Sequence, residues 1–238
     1  MSDAKKVVIC IPTLTKPYQA TLDSLAASVP LLNAAGIEHY MVSEIGCPYI
    51  SAARATMLRK AIDAKADIIV FIDHDVEWDP QDLVTLIQTE GDVVAGLYRF
   101  KSDDVHYMGV LIDGDQHRPI VRADGCILAS RVPAGFLKIT RNTVNVFMKS
   151  YPHLMYGEAC MPSVDLFNHG AHNGQLWGED YAFSRNWIDA GGDIWVVPDL
   201  DLTHHSTEKA YPGNYHHFLL AQPGGSHHES NQSPASAD

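Results

Sequence analysis

The sequence has no apolar run long enough to span a bilayer, which excludes an ordinary membrane-spanning helix. Two lysines near the start are followed by only Val7 to Ile11 before Pro12, too short a run for a secretory signal, so a cytoplasmic location is expected. Cysteine is scarce: four occur in 238 residues (Cys10, Cys47, Cys126, Cys160), with no Cys-x-x-Cys pair. They read as reduced, mostly packed thiols. Positive charge is also in short supply. Seventeen Lys and Arg against 29 Asp and Glu leave a net charge of −12. Such a chain lacks the basic face that binding to nucleic acid or anionic membrane requires. Charged residues make up 19%, below the usual figure of about 25%, which argues against a coiled coil. Gly-x-Gly-x-x-Gly, the Walker loop, Gly-x-Ser-x-Gly and His-Glu-x-x-His are all missing. Dinucleotide, P-loop, serine-hydrolase and zinc-protease readings therefore lose their usual support. What the chain does have is 46% hydrophobic residues, enough to bury a full core.

The first hundred residues alternate strand and helix patterns. Val7 to Ile11 and Ile68 to Ile72 are continuous apolar runs, as in strands covered on both faces. His39 to Ile45 and Val93 to Tyr98 read as further strands. Helical spacing of apolar residues predicts helices over Gln19 to Asn33 and Ile50 to Ala64. Asp79-Pro80 predicts an N-cap followed by proline in the first turn of a third helix. Beyond residue 100 the pattern becomes mixed. A hairpin is expected around Asp113 to Asp115, mostly strand over Cys126 to Thr140, and a short helix from Thr143 to Tyr151. Residues 152–178 read as a long loop, Glu179 to Ala190 as a helix and Ile194 to Val197 as a last strand. The low-complexity stretch 222–238 is expected to be a disordered tail. Residues 1–221 thus read as a single domain, an α/β half (1–100) followed without a linker by a mixed α+β half (101–221).

Three clusters carry candidate chemistry. The strand Ile68 to Ile72 runs into Asp73-His74-Asp75, and ligands of open α/β sheets bind beyond the carboxyl ends of strands. If the chain stays extended, Asp73 and Asp75 point to one side and suit Mg²⁺ or Mn²⁺ shared with substrate phosphates. The plainer alternative makes Asp73 a turn cap and Asp75 a solvated acid. Trp177-Gly178-Glu179-Asp180 puts two acids at a helix start, where simple complementing of the helix dipole competes with a general-base role tuned by packing against Trp177. His204-His205 follows the last strand, and one of the pair is a candidate metal ligand. Of the few basic residues, Arg54, Arg59, Arg99 and Lys101 could meet a diphosphate, a solvated or ion-paired role being the plainer reading for all but Arg54. Arg54 stands out, because it lies near the start of its helix at the expected carboxyl edge of the sheet.

Taken in order, these segments resemble the GT-A glycosyltransferases, especially the family 2-like nucleotide-sugar transferases, over about residues 5–206. Ile11-Pro12-Thr13 looks like the family's nucleotide-binding opening. Ser51-Ala52-Ala53-Arg54 resembles its arginine-bearing helix start, and Asp73-His74-Asp75 its Asp-x-Asp motif. Gly135-Phe136 is similar to the strand lining the donor and acceptor pocket, and Glu179-Asp180 to the Glu-Asp motif whose second acid is the base. His204 or His205 is similar to the late histidine that completes metal coordination. The resemblance implies a Rossmann-like, mostly parallel central sheet with helices on both faces and a mixed α+β C-terminal half. It also implies Mn²⁺ or Mg²⁺ held by Asp73, Asp75 and His204 or His205. A UDP- or GDP-sugar donor would lie against Pro12, Thr13, Arg54, Asp73, His74, Gly135 and Trp177. The acceptor would be a hydroxyl of a glycan, lipid or protein. Asp180 and Glu179 would be the catalytic acids, in a reaction that inverts the anomeric centre. A nucleotidyltransferase acting on a sugar phosphate is a second reading, weakened by the absence of a glycine-rich basic loop after the first strand. A non-catalytic nucleotide-sugar-binding module is a third.

Overall fold

The computed structural model describes residues 5–115 and 118–222. The expected tail beyond residue 222 lies outside the described residues. An eight-stranded sheet forms the centre. Its strands are β1 (Lys6–Thr13), β2 (Glu38–Ile45), β3 (Ile68–Ile72), β5 (Val93–Ala95), β6 (Val110–Leu111), β7 (Ile127–Arg131), β8 (Phe136–Thr140) and β13 (Ile194–Val196), in the order β2-β1-β3-β8-β5-β13-β7-β6. Only β7 and β8 run against the common direction. The helices are α1 (Gln19–Ala34), α2 (Ile50–Asp63), α3 (Pro80–Gln88), α4 (Arg141–Ser150), α5 (Glu179–Asp189) and α6 (Tyr215–Ala221).

The strand period of two sorts the central side chains onto two faces. Val7, Ile9, Ile11, Ile68, Val70 and Ile72 pack with Leu32 of α1 and Leu83, Leu86 and Ile87 of α3. Val8, Cys10, Ile69 and Phe71 pack with Met57 and Leu58 of α2, Phe147 of α4 and Phe183 and Trp187 of α5. Burial on both faces explains why the strand signals at β1 and β3 are unbroken apolar runs. Pro12 is tolerated in β1 because β3 pairs only as far as Cys10, leaving β2 alone alongside. The side chain of Asp79 accepts a hydrogen bond from the Gln81 amide at 2.9 Å and caps α3 as expected.

Several elements differ from expectation. The carboxyl part of the Val93 to Tyr98 run leaves the sheet after Ala95. The stretch 152–178 is no featureless loop. It folds as a short 3₁₀ turn at Pro152–Leu154 and two hairpins, β9 (Met155–Glu158) with β10 (Met161–Val164) and β11 (Gly170–His172) with β12 (Gln175–Trp177). Their strands are only three or four residues long and carry no sustained alternation, so periodicity does not reveal them. The sequence signals also missed β4 (Val76–Trp78), β14 (Asp201–His205) and β15 (Ala210–Asn214), which form a small antiparallel sheet in the order β15-β14-β4. Of the cysteines, Cys10 and Cys126 are buried, while Cys160 is exposed. Among the described residues no helix is long and apolar enough to cross a membrane.

Candidate active site

The carboxyl ends of β1 and β3, the start of the antiparallel β8 and the first turns of α2 and α5 meet at one edge of the sheet. Arg54, four residues after α2 begins, is only 2% exposed. Its Nη2 donates to Asp73 Oδ1 at 2.7 Å and its Nη1 to Glu179 Oε1 at 2.5 Å. Its guanidinium also lies 5.2 Å from the centre of the Phe167 ring. Burial disfavours the charge, but Asp73, Glu179 and Asp180 outweigh that cost and raise the Arg54 pKa. Tyr98, buried at the end of the Val93 to Tyr98 run, donates to the other oxygen of Asp73 at 3.3 Å. The Asp73 amide donates to the Gly135 carbonyl at 3.0 Å. Any Cβ at Gly135 would lie 2.1 Å from Tyr98 Oη and 2.5 Å from Asp73 Oδ2, so this close approach requires glycine.

Asp73 and Asp75 do not share one face of an extended strand. The chain turns between them, with the Val76 amide donating back to the Asp73 carbonyl at 3.2 Å. Both Asp73 oxygens are taken by Arg54 and Tyr98, whereas Asp75 faces Lys101 and His204. Antiparallel pairing places His204 opposite Val76, and the His205 amide donates to the Asp75 carbonyl at 2.8 Å. His204 Nδ1 is 2.9 Å from the Arg99 carbonyl and must carry the proton there. That leaves the Nε2 lone pair directed at Asp75 Oδ1, 3.7 Å away. Burial lowers the His204 pKa, partly offset by the Arg99 carbonyl and Asp75. Two electron-rich atoms so placed, one carboxylate oxygen and one neutral imidazole nitrogen, fit a divalent cation. Among the described residues no group of three or more His, Cys, Asp or Glu could hold a metal, so further ligands would come from bound phosphates or water. His205, on the other side of β14, bonds Glu77 Oε2 at 2.7 Å and is not brought to Asp75. The His74 carbonyl accepts from the Tyr18 amide and the Thr21 hydroxyl, fastening the start of α1, and the His74 ring lies against Tyr18.

The two acids of α5 have different surroundings. Glu179 is tied to Arg54. Asp180 accepts only from the Tyr181 amide, at 2.8 Å, among the described residues. Burial first, then Glu179, raises its pKa to about 6, against the opposing pull of Arg54. Trp177 lies between Arg131 and Arg185, each guanidinium 4.9 Å from its ring. Pro12 and Thr13 close β1 at this edge, and the buried Thr13 hydroxyl has no hydrogen-bond partner. Tyr98 went unnoticed in the sequence, although a tyrosine ending a buried apolar run needs a partner for its hydroxyl. Lys101 was one of several basic candidates, and it is the one that reaches an Asp-x-Asp carboxylate other than through Arg54.

No family model matches the sequence, and no curated protein sequence does. Solved structures to which the chain shows a likeness include a Drosophila beta-1,4-galactosyltransferase 7 variant in complex with manganese, UDP-Gal and xylobiose. It shows 12% identity and a TM-score of 0.45, over 98% of this chain and 82% of that one. Another is S. aureus TarS with UDP-GlcNAc, at 12% identity and a TM-score of 0.41, over 88% of this chain and 60% of that one. A third is mannose-1-phosphate geranyltransferase from Thermus thermophilus, at 15% identity and a TM-score of 0.39, over 62% and 61% of the two chains. The chain thus spans about three fifths of the length of the latter two.

Proposed function

We propose that this protein is a glycosyltransferase that moves a sugar from a nucleotide-diphosphate donor to an acceptor hydroxyl with inversion. The observation that carries this reading is the contrast between neighbouring acids. Glu179 is neutralised by Arg54, while Asp180 keeps an uncommitted oxygen and a pKa of about 6. Acids whose environments are pushed apart in this way divide into a structural partner and a proton acceptor. Residues 1–100 would hold the donor and 101–221 the acceptor.

A divalent cation, Mn²⁺ or Mg²⁺, between Asp75 and His204 would supply positive charge to the leaving diphosphate. The chain's own residues do the rest. The Thr13 hydroxyl has free capacity to bond the nucleotide. Arg54 fixes Asp73 and Glu179 and keeps Asp180 ionised near neutrality. Asp180 takes the proton from the acceptor hydroxyl as its oxygen bonds to the anomeric carbon and the carbon–phosphate oxygen bond breaks. Such proton transfer contributes roughly 10²–10⁴-fold.

The test is incubation with a panel of UDP- and GDP-sugars, with and without Mn²⁺, following release of nucleoside diphosphate. A second arm supplies nucleoside triphosphate and sugar phosphate. Pyrophosphate release in that arm, with no nucleoside diphosphate in the first, would make the chain a nucleotidyltransferase instead.

A further inference from the structure

We propose that Arg131, Trp177 and Arg185 form an anion-binding subsite, so that the acceptor carries a carboxylate or phosphate. The word acceptor rests on the transferase reading above; the anion site does not. Trp177 ends β12, Arg131 ends β7 and Arg185 lies on α5. Each guanidinium sits 4.9 Å from the Trp177 ring, and Arg131 is also 5.8 Å from the ring of Tyr181. Stacking holds both cations in place without neutralising either.

Elsewhere in this acidic chain Arg54, Arg59 and Arg122 each pair with a carboxylate, while Arg99 and Arg141 donate to backbone carbonyls. Among the described residues, neither Arg131 nor Arg185 has an acid within ion-pair distance. Arg185 bonds only the neutral amide oxygen of Asn186, through Nε at 3.2 Å and Nη2 at 2.9 Å. Its Nη1 and the indole Nε1 of Trp177 are buried donors with no partner. Buried donors left unmade are costly, and these two call for a group that only accepts. Two planar guanidiniums with unused N–H groups match the oxygens of a carboxylate or phosphate.

The placement suits an acceptor. Trp177 and Tyr181 flank Glu179 and Asp180 in sequence, so an anion held here lies close to the proposed base. Arg185 also borders a neighbouring cavity of about 310 Å³ whose wall includes Tyr151, His169 and His172 but not Arg131 or Trp177, with the exposed Asp189 as its one acid. That volume is at the lower end of ligand pockets, which run to about 300–1,000 Å³.

The full-length protein is titrated calorimetrically, at fixed ionic strength, with D-glucuronate, glucose 6-phosphate and glucose. Glucose carries an uncharged hydroxymethyl group where glucuronate has its carboxylate and glucose 6-phosphate its phosphate ester. The expected result is that at least one anion binds at least tenfold more tightly than glucose. Which one binds identifies carboxylate or phosphate as the source. The paired substitution Arg131→Gln and Arg185→Gln should abolish that preference while leaving UDP binding in the presence of Mn²⁺ unchanged. If the pair does not fold, Trp177→Phe keeps the stack, removes Nε1 and should weaken anion binding severalfold. Glucose binding as tightly as both anions, no binding of either anion, or an anion affinity untouched by the substitutions would overturn the proposal. Loss of UDP binding in the wild type, with glucuronate or glucose 6-phosphate still bound, would remove the donor reading and leave the anion site standing.

Discussion

Arg54 Nη2 lies 2.7 Å from Asp73 Oδ1 while its Nη1 lies 2.5 Å from Glu179 Oε1, so one buried guanidinium joins the end of β3 to the first turn of α5. Removing it leaves two partly buried acids facing each other with no cation between them. Breaking a buried ion pair from one side typically costs about 3–5 kcal/mol. Arg54→Met is therefore expected to lower stability by about that amount, read from urea unfolding midpoints. Unchanged stability would show that the pair is solvated.

Asp180 sets the expected pH dependence. Its pKa is raised to about 6, chiefly by burial, and only the ionised form accepts a proton. Transfer should be half-maximal near pH 6, fall as pH drops and level off above. The charge of Arg54 pulls this pKa down, so Arg54→Gln, assayed where it remains folded, should move the midpoint to higher pH. Asp180→Asn should keep UDP binding and lose roughly 10²-fold or more of the transfer rate. A transfer rate that stays flat between about pH 5 and 8 would remove Asp180 as the base.

The central sheet was legible because its inner strands are buried on both faces. Val7 to Ile11 and Ile68 to Ile72 announce themselves as apolar runs, and Asp79-Pro80 marks α3 by capping chemistry. The short strands were not legible, because β14 pairs with the distant β4 and neither β14 nor β15 carries an alternating apolar run. The same limit applies to the site. Asp73, Asp75, Glu179 and Asp180 were visible as acids at element ends, yet which of them are tied down depends on Arg54, Tyr98 and Lys101 arriving from other parts of the chain. Which of His204 and His205 faces Asp75 is fixed by the register of β14 against β4, which residue type alone does not encode.

Gly135 ties packing to the site. A methyl group there would enter the space of Tyr98 Oη and Asp73 Oδ2. Overpacking a well-filled region costs typically about 1–3 kcal/mol, and Gly135→Ala is expected to fall in that range and to weaken UDP binding. Tyr98→Phe removes the nearest of the clashing atoms. The double variant should therefore be more stable than the sum of the single effects predicts, a coupling that a double-mutant cycle measures. Strict additivity would place the strain elsewhere.

Lys101 reaches Asp75 Oδ2, the carboxylate whose other oxygen faces His204, and so competes for the seat where a divalent cation fits. The Lys101 side chain is 36% exposed against 10% for Asp75, so solvent takes over the ammonium easily when the lysine is displaced. The segment around it is held by Arg99, whose Nη2 donates to the Ser102 and Asp103 carbonyls at 3.2 and 3.3 Å, and by the Lys209–Asp103 ion pair. Lys101→Met removes the competing charge and leaves Asp75 and His204 in place. Mn²⁺ should then bind about tenfold more tightly, equivalent to ~1.4 kcal/mol, as read by electron paramagnetic resonance of free Mn²⁺ without any donor present. His204→Ala should weaken Mn²⁺ binding in the same assay. If Lys101→Met binds Mn²⁺ more weakly than the wild type, the lysine supports the cation site instead of contesting it.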